Sequence, residues 1–158
     1  MTRMYARARK GQRALDHAPH GHWHTTTLVA AITLQGAIAP MVLDGPMDAA
    51  AFESYLRAFL IPALPPNAIV VMDNLSAHKS PRIQRLLTQA GAELRYLPPY
   101  SPDFNPAEPM YGKVKTALRS AKARCQDTLC QAIADALASI TSSDAKGFFR
   151  HCFVSINY

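Results

Sequence analysis

Long apolar runs are missing from this sequence. No stretch approaches the ~20 consecutive apolar residues that a bilayer-spanning helix needs, so the chain reads as one with no membrane role. Cysteine is sparse. Cys125, Cys130 and Cys152 make an odd set with no C-x-x-C spacing, which argues against a disulfide framework or a zinc knuckle and fits a reducing compartment. Acids are also few, 11 against 17 Lys and Arg. Arg3, Arg7, Arg9, Lys10 and Arg13 all precede the first acid, Asp16. Lys113, Lys115, Arg119, Lys122 and Arg124 lie between Glu108 and Asp127 with no acid among them. The resulting net charge of +6 suits a polyanion such as nucleic acid, because each neutralised phosphate releases counterions. A solvated basic face accounts for the same charge without a partner.

What is present is the composition of a globular domain. Hydrophobic residues make up 49% and charged residues 18%, and 158 residues suffice for one domain with a real core. The basic start, MTRMYARARKGQR, runs into no apolar stretch and so does not read as a secretory signal. Residues 25–34 (TTTLVAAITL) and 37–43 predict two strands joined at Gln35-Gly36 as a hairpin. Asp48 can cap a helix over 49–61 whose apolar face holds Phe52, Tyr55, Leu56, Phe59 and Leu60, with Pro62, Pro65 and Pro66 ending it. The run AIVVM at 68–72 predicts a strand buried on both faces. A helix opens at Ser80-Pro81 and closes at Gly91, and residues 93–97 form another strand. Amphipathic helices follow the proline loop and cover 128–140, and a short one covers 144–152. The order β-β-α-β-α-β-α-α gives a mixed α/β layer architecture.

Two acids stand out by position. Asp73 follows the buried strand at once, on the rim where ligands sit in open α/β sheets. Glu108 follows the next βα connection, a loop with five prolines between positions 98 and 109. Asn105-Pro106-Ala107-Glu108 also reads as an N-cap, a first-turn proline and a capping-box acid, a purely structural use of the same residues. Hard divalent cations want carboxylate oxygens, and Mg²⁺ takes one or two from protein. A proline-stiffened loop fits the tolerance that such ligation demands.

"VVMDNLSAHKS", "LRYLPPYSPDFNPAEPMYGKVK" and "PHGHWHTTTLVAAI" together resemble the DDE transposases of bacterial insertion sequences in the mariner-like superfamily, the group called the IS-six-thirty family. The likeness runs from Met1 to about Cys152. It implies an RNase H-like mixed sheet flanked by helices. It also implies that Asp73 and Glu108 are the second and third catalytic acids, binding two Mg²⁺ or Mn²⁺ ions while DNA is nicked and joined at transposon ends. Asn74, His78 and Asn105 would support the site, and Arg7, Arg9, Lys10, Lys79, Lys113, Lys115 and Arg119 would meet nucleic acid.

The resemblance begins after the family's first acid and its helix-turn-helix region. Residues 1–158 are therefore expected to be a partial catalytic domain without the first, central strand, leaving two apolar edges unpaired. An upstream transposase polypeptide and a second copy of the chain are the candidate protein partners beside DNA. The expected setting is the bacterial cytoplasm, on the nucleoid when DNA is bound. An inactive remnant that only holds DNA is the rival expectation. Departures from the family pattern are His24 in place of a lysine, Pro109 directly after Glu108, and the ending FVSINY. His17, His20, His22 and His24 suggest a metal site that the family motif already explains, and Trp23 suggests a packing residue.

Overall fold

The computed structural model describes residues 5–15 and 25–154. The histidines at 17, 20, 22 and 24, and Trp23, lie outside the described residues.

Strands β1 (Thr26–Thr33) and β2 (Gly36–Asp44) pair antiparallel around Leu34-Gln35, one residue earlier than the predicted turn. Gly36 has a φ of +138°, and a Cβ there would meet the Ile140 carbonyl oxygen at 3.1 Å, so the turn needs glycine. Midway, the register gains one residue on β2, where Ala39 takes a φ of +50° before Pro40. A bulge suits proline, which has no N–H to give a ladder.

Asp48 caps α1 (Ala49–Tyr55) as expected, its Oδ1 accepting from Ala51 N at 2.7 Å. Of the three prolines expected to end the helix, Pro62 lies inside the helical run, which stops at Ala63, ahead of Pro65 and Pro66. The chain widens into a π-helical turn, Leu56–Leu60, and continues through the short α2 (Ile61–Ala63). The wider turn accompanies a proline that cannot supply the N–H of an ordinary turn, and Phe59 on it is half-exposed instead of joining the core. β3 (Ile69–Met72) then pairs parallel with β4 (Glu93–Tyr96) through α3 (Pro81–Gln89). α3 ends in a Schellman cap: Gly91 has a φ of +74°, its N–H donates to Thr88 O, and Ala92 N donates to Leu87 O. Three helices finish the fold, α4 (Ala107–Ala121), α5 (Gln126–Ala138) and α6 (Ser142–Val154). Among the described residues no helix is long and apolar enough to cross a membrane.

Two cores lie on opposite faces of the hairpin. Val29 and Ala31 face the first, formed by Phe52, Tyr55, Leu56, Val70, Met72, Ile83 and Leu87. Leu28, Ala30 and Ile32 face the second, built on Met110, Val114, Leu118, Ile133 and Leu137. Alternate residues thus serve different cores, which is why β1 reads as continuously apolar. β3 is different. Val70 and Met72 are buried, but Ile69 and Val71 are 53% and 54% exposed. The expectation of burial on both faces fails here because α4 and α5 pack on the hairpin, not on β3. Among the described residues the sheet consists of two two-stranded pieces, β1–β2 and β3–β4, with no ladder between them.

Candidate active site

Asp73 leaves the C-terminal end of β3 and is held at once. Its Oδ1 accepts from Leu75 N at 3.1 Å and lies 2.7 Å from His78 Nδ1. A carboxylate oxygen can only accept, so the imidazole N–H is the donor. His78 is itself fixed, its ring 4.4 Å from that of Phe52 and its carbonyl accepting from Tyr96 Oη at 2.8 Å. With Oδ1 engaged twice, Oδ2 is the oxygen left for a cation.

The proline loop is stitched to this turn. Asn74 Nδ2 donates to the Leu97 carbonyl, and Leu97 N donates to Met72 O at 2.8 Å. A 3₁₀ turn, Pro102–Phe104, brings the chain to α4. There Asn105 behaves as the expected cap: its Oδ1 accepts from Ala107 N at 3.0 Å and its carbonyl from Glu108 N at 3.0 Å. The reciprocal half of a capping box is absent, because Asn105 N donates to Pro102 O instead. The Glu108 carboxylate accepts no hydrogen bond among the described residues, and it stands exposed in the first turn of α4, where the helix dipole favours a negative charge. Pro109 does no damage, since the first N–H groups of a helix have no partner inside it.

Asp73, Asn74, Lys79, Asn105 and Glu108 line one cleft of about 400 Å³, with Leu75 and residues 97–102 as its remaining wall. The structure therefore brings together both acids and two of the three supporting residues, and His78 joins through Asp73. Tyr100 on the rim was not singled out from the sequence. It is fully exposed with a left-handed φ of +56°, and presents an aromatic face of the kind on which bases stack. An uncapped tyrosine between prolines was the only signal for it.

The cationic residues separate. Lys79 is the one cation among the residues lining the cleft. Arg7, Arg9 and Lys10 are exposed in the N-terminal described segment, and Lys115 and Arg119 are exposed one turn apart on α4. Lys113 is also ion-paired: its ammonium donates to Asp144 Oδ2 at 2.7 Å and to the Ser139 carbonyl at 3.1 Å. Lys113, then the Thr141 hydroxyl and amide, hold the Asp144 carboxyl below the usual carboxylate range. A carboxyl depressed in the folded state stabilises the fold above its unfolded pKa of about 4 and loses that contribution as pH falls through the folded value. Thermal melts of the wild type are thus expected to fall more steeply below pH 4 than those of Asp144→Asn.

Two carboxylates in one cleft are the kind of donor Mg²⁺ usually takes from protein, although among the described residues no three His, Cys, Asp or Glu side chains are grouped to hold an ion.

Comparison with known proteins bears on the fold and the family. Two solved structures illustrate the likeness of fold. One is the Mos1 strand transfer complex, with a TM-score of 0.77 and 19% identity over 96% of this chain and 47% of that one. The other is the Mos1 transposase catalytic domain with raltegravir and Mg, with a TM-score of 0.67 and 16% identity over 82% and 76%. The chain thus spans about half the length of the first of these. No curated protein matches it in sequence. The fold is RNase H-like, as the sequence led one to expect. Residues 1–130 match the family model described as DDE superfamily endonuclease, and the chain belongs to that family.

Proposed function

We propose that this chain is the catalytic portion of a transposase that cuts DNA and transfers strands at the ends of a bacterial insertion sequence of the IS-six-thirty group. The observation that carries this is the shared cleft, where Asp73 leaves β3 and Glu108 enters on α4 in a DDE endonuclease fold. Asp73 and Glu108 hold the metal, either Mg²⁺ or Mn²⁺, as two ions. When bound, such ions activate the attacking oxygen and steady the leaving one in phosphodiester cleavage. His78 and Leu75 N orient the Asp73 carboxylate, Asn74 and Asn105 fix the loop, and Lys79 meets a phosphate beside the acids. Arg7, Arg9, Lys10, Lys115 and Arg119 track the DNA backbone, which carries position and not sequence.

On this reading residues 1–158 are a partial domain, and an upstream segment supplies the first aspartate and the strand that joins the two pieces of sheet. The break in the ladder between β1 and β3 supports it. A homodimer is the assembly in which two transposon ends would be held, on the nucleoid. A second reading rests on the exposed basic residues by themselves: a remnant that binds DNA and never cuts.

One titration tests both. The purified chain is expected to bind Mn²⁺, seen by electron spin resonance, to bind DNA in a salt-sensitive way, and to leave supercoiled plasmid intact when alone. Unaided nicking with Mg²⁺ defeats the partial-domain proposal. DNA binding with no Mn²⁺ uptake at millimolar concentration selects the remnant.

A further inference from the structure

The outer edge of β1 carries a tie that the proposed chemistry does not use. Strand residues present their N–H and C=O to alternate sides. Gly45 N donates to the Thr25 carbonyl at 2.7 Å, and Thr33 pairs with Gly36 across the turn. Odd-numbered residues of β1 therefore bond toward β2, and even-numbered ones face outward. The bulge adds its extra residue to β2 and leaves this parity unchanged. Ala30 is thus an outward residue, and one phenol takes both of its backbone groups. Ala30 N donates to Tyr111 Oη at 2.9 Å, and the same hydroxyl donates to Ala30 O at 3.3 Å. Tyr111 lies three residues beyond Glu108, on the same side of α4.

We propose that in residues 1–158 by themselves Tyr111 is a positioning residue, whose hydroxyl pins the start of α4 to the edge of β1 left unpaired among the described residues and so sets where the Glu108 carboxylate stands relative to Asp73. The proposal rests on the metal-site reading above. Glu108 accepts no hydrogen bond of its own among the described residues, so its place is dictated by the helix that carries it. The Tyr111 ring packs on the second core, which anchors the tie at its other end. Burial holds the phenol above its usual range, the Ala30 hydrogen bond offsets part of that, and the Glu108 charge adds a smaller rise. The Ala30 groups are also those the upstream strand proposed above would need, so its pairing at this edge replaces the tie and passes the placement of α4 to the completed sheet.

The test compares Tyr111→Phe with Leu118→Ala, a core change two turns further along the same helix. In Tyr111→Phe the Mn²⁺ Kd is expected to rise about 10-fold, the lower end of the cost of losing an orienting group. Its thermal midpoint should hold within a few degrees, and the Ala30 amide should exchange faster. Leu118→Ala should lower the midpoint and leave the Kd within about twofold of wild type. Unchanged Mn²⁺ affinity in Tyr111→Phe overturns the proposal, as does an equal loss in Leu118→Ala. If wild type, Asp73→Asn and Glu108→Gln all fail to bind Mn²⁺, the metal reading falls and takes this inference with it.

Discussion

Exchanging Asp73 for asparagine is expected to weaken Mn²⁺ binding on the order of 100-fold or more, since losing a group that merely orients a ligand already costs about 10–100-fold. The substitution is a clean one. Asparagine keeps an Oδ1 that can accept from Leu75 N and from His78, so the turn after β3 survives and the thermal midpoint moves little. What disappears is the charge. Glu108→Gln should lose as much, with even less structural effect, because that carboxylate accepts no hydrogen bond among the described residues. Asp103 provides the control. It belongs to the same proline loop but does not line the cleft, and Asp103→Asn should bind Mn²⁺ like the wild type. Titration of all three variants by spin resonance decides the matter, and equal affinity in wild type and Asp73→Asn would remove the acid from the site.

Met110→Ala should destabilise the fold by about 2–5 kcal/mol, the usual range for emptying a fully buried methionine site. Met110 is 0% exposed and lies between α4, α5 and the second face of the hairpin. Against a total of about 5–15 kcal/mol for an ordinary domain, that is a large share. Urea unfolding measures it directly. Lys115→Ala and Arg119→Ala, on the exposed side of the same helix, should stay within about 0.5 kcal/mol of wild type. A Met110→Ala loss below about 1 kcal/mol would mean that the second core collapses around the gap more readily than close-packed interiors do.

What could be read from the sequence was what local chemistry decides. The Asp48 cap, the Asn105 cap and the Gly91 stop all appear where their residue types put them, because each depends on groups within a few residues. The hairpin and the separate strands at 69–72 and 93–96 followed from apolar runs and turn residues, but the parallel pairing of those two strands did not. Asp73 and Glu108 were brought to one cleft by topology, a strand end and the next helix start. The misses share a different cause. Whether Ile69 and Val71 are covered depends on where distant helices lie, and an apolar run alone does not tell that. Lys113 looked like one more surface cation, yet its partner Asp144 is 31 residues further on. Tyr111 and Ala30 are 81 residues apart, and no pattern in either segment signals that a phenol will meet a backbone edge. The prolines at 62, 65 and 66 marked the helix end, which falls at Ala63 after a π-turn carries the chain past Pro62.

The exposed side chains of β3 have a practical consequence. Its outward amides and carbonyls, at Ile69 and Val71, belong to residues whose side chains are also half in water, a combination that templates addition of another chain edge to edge. Concentrated solutions should therefore self-associate through β3 and turn turbid on standing. A lysine at position 69 or 71 should keep them clear.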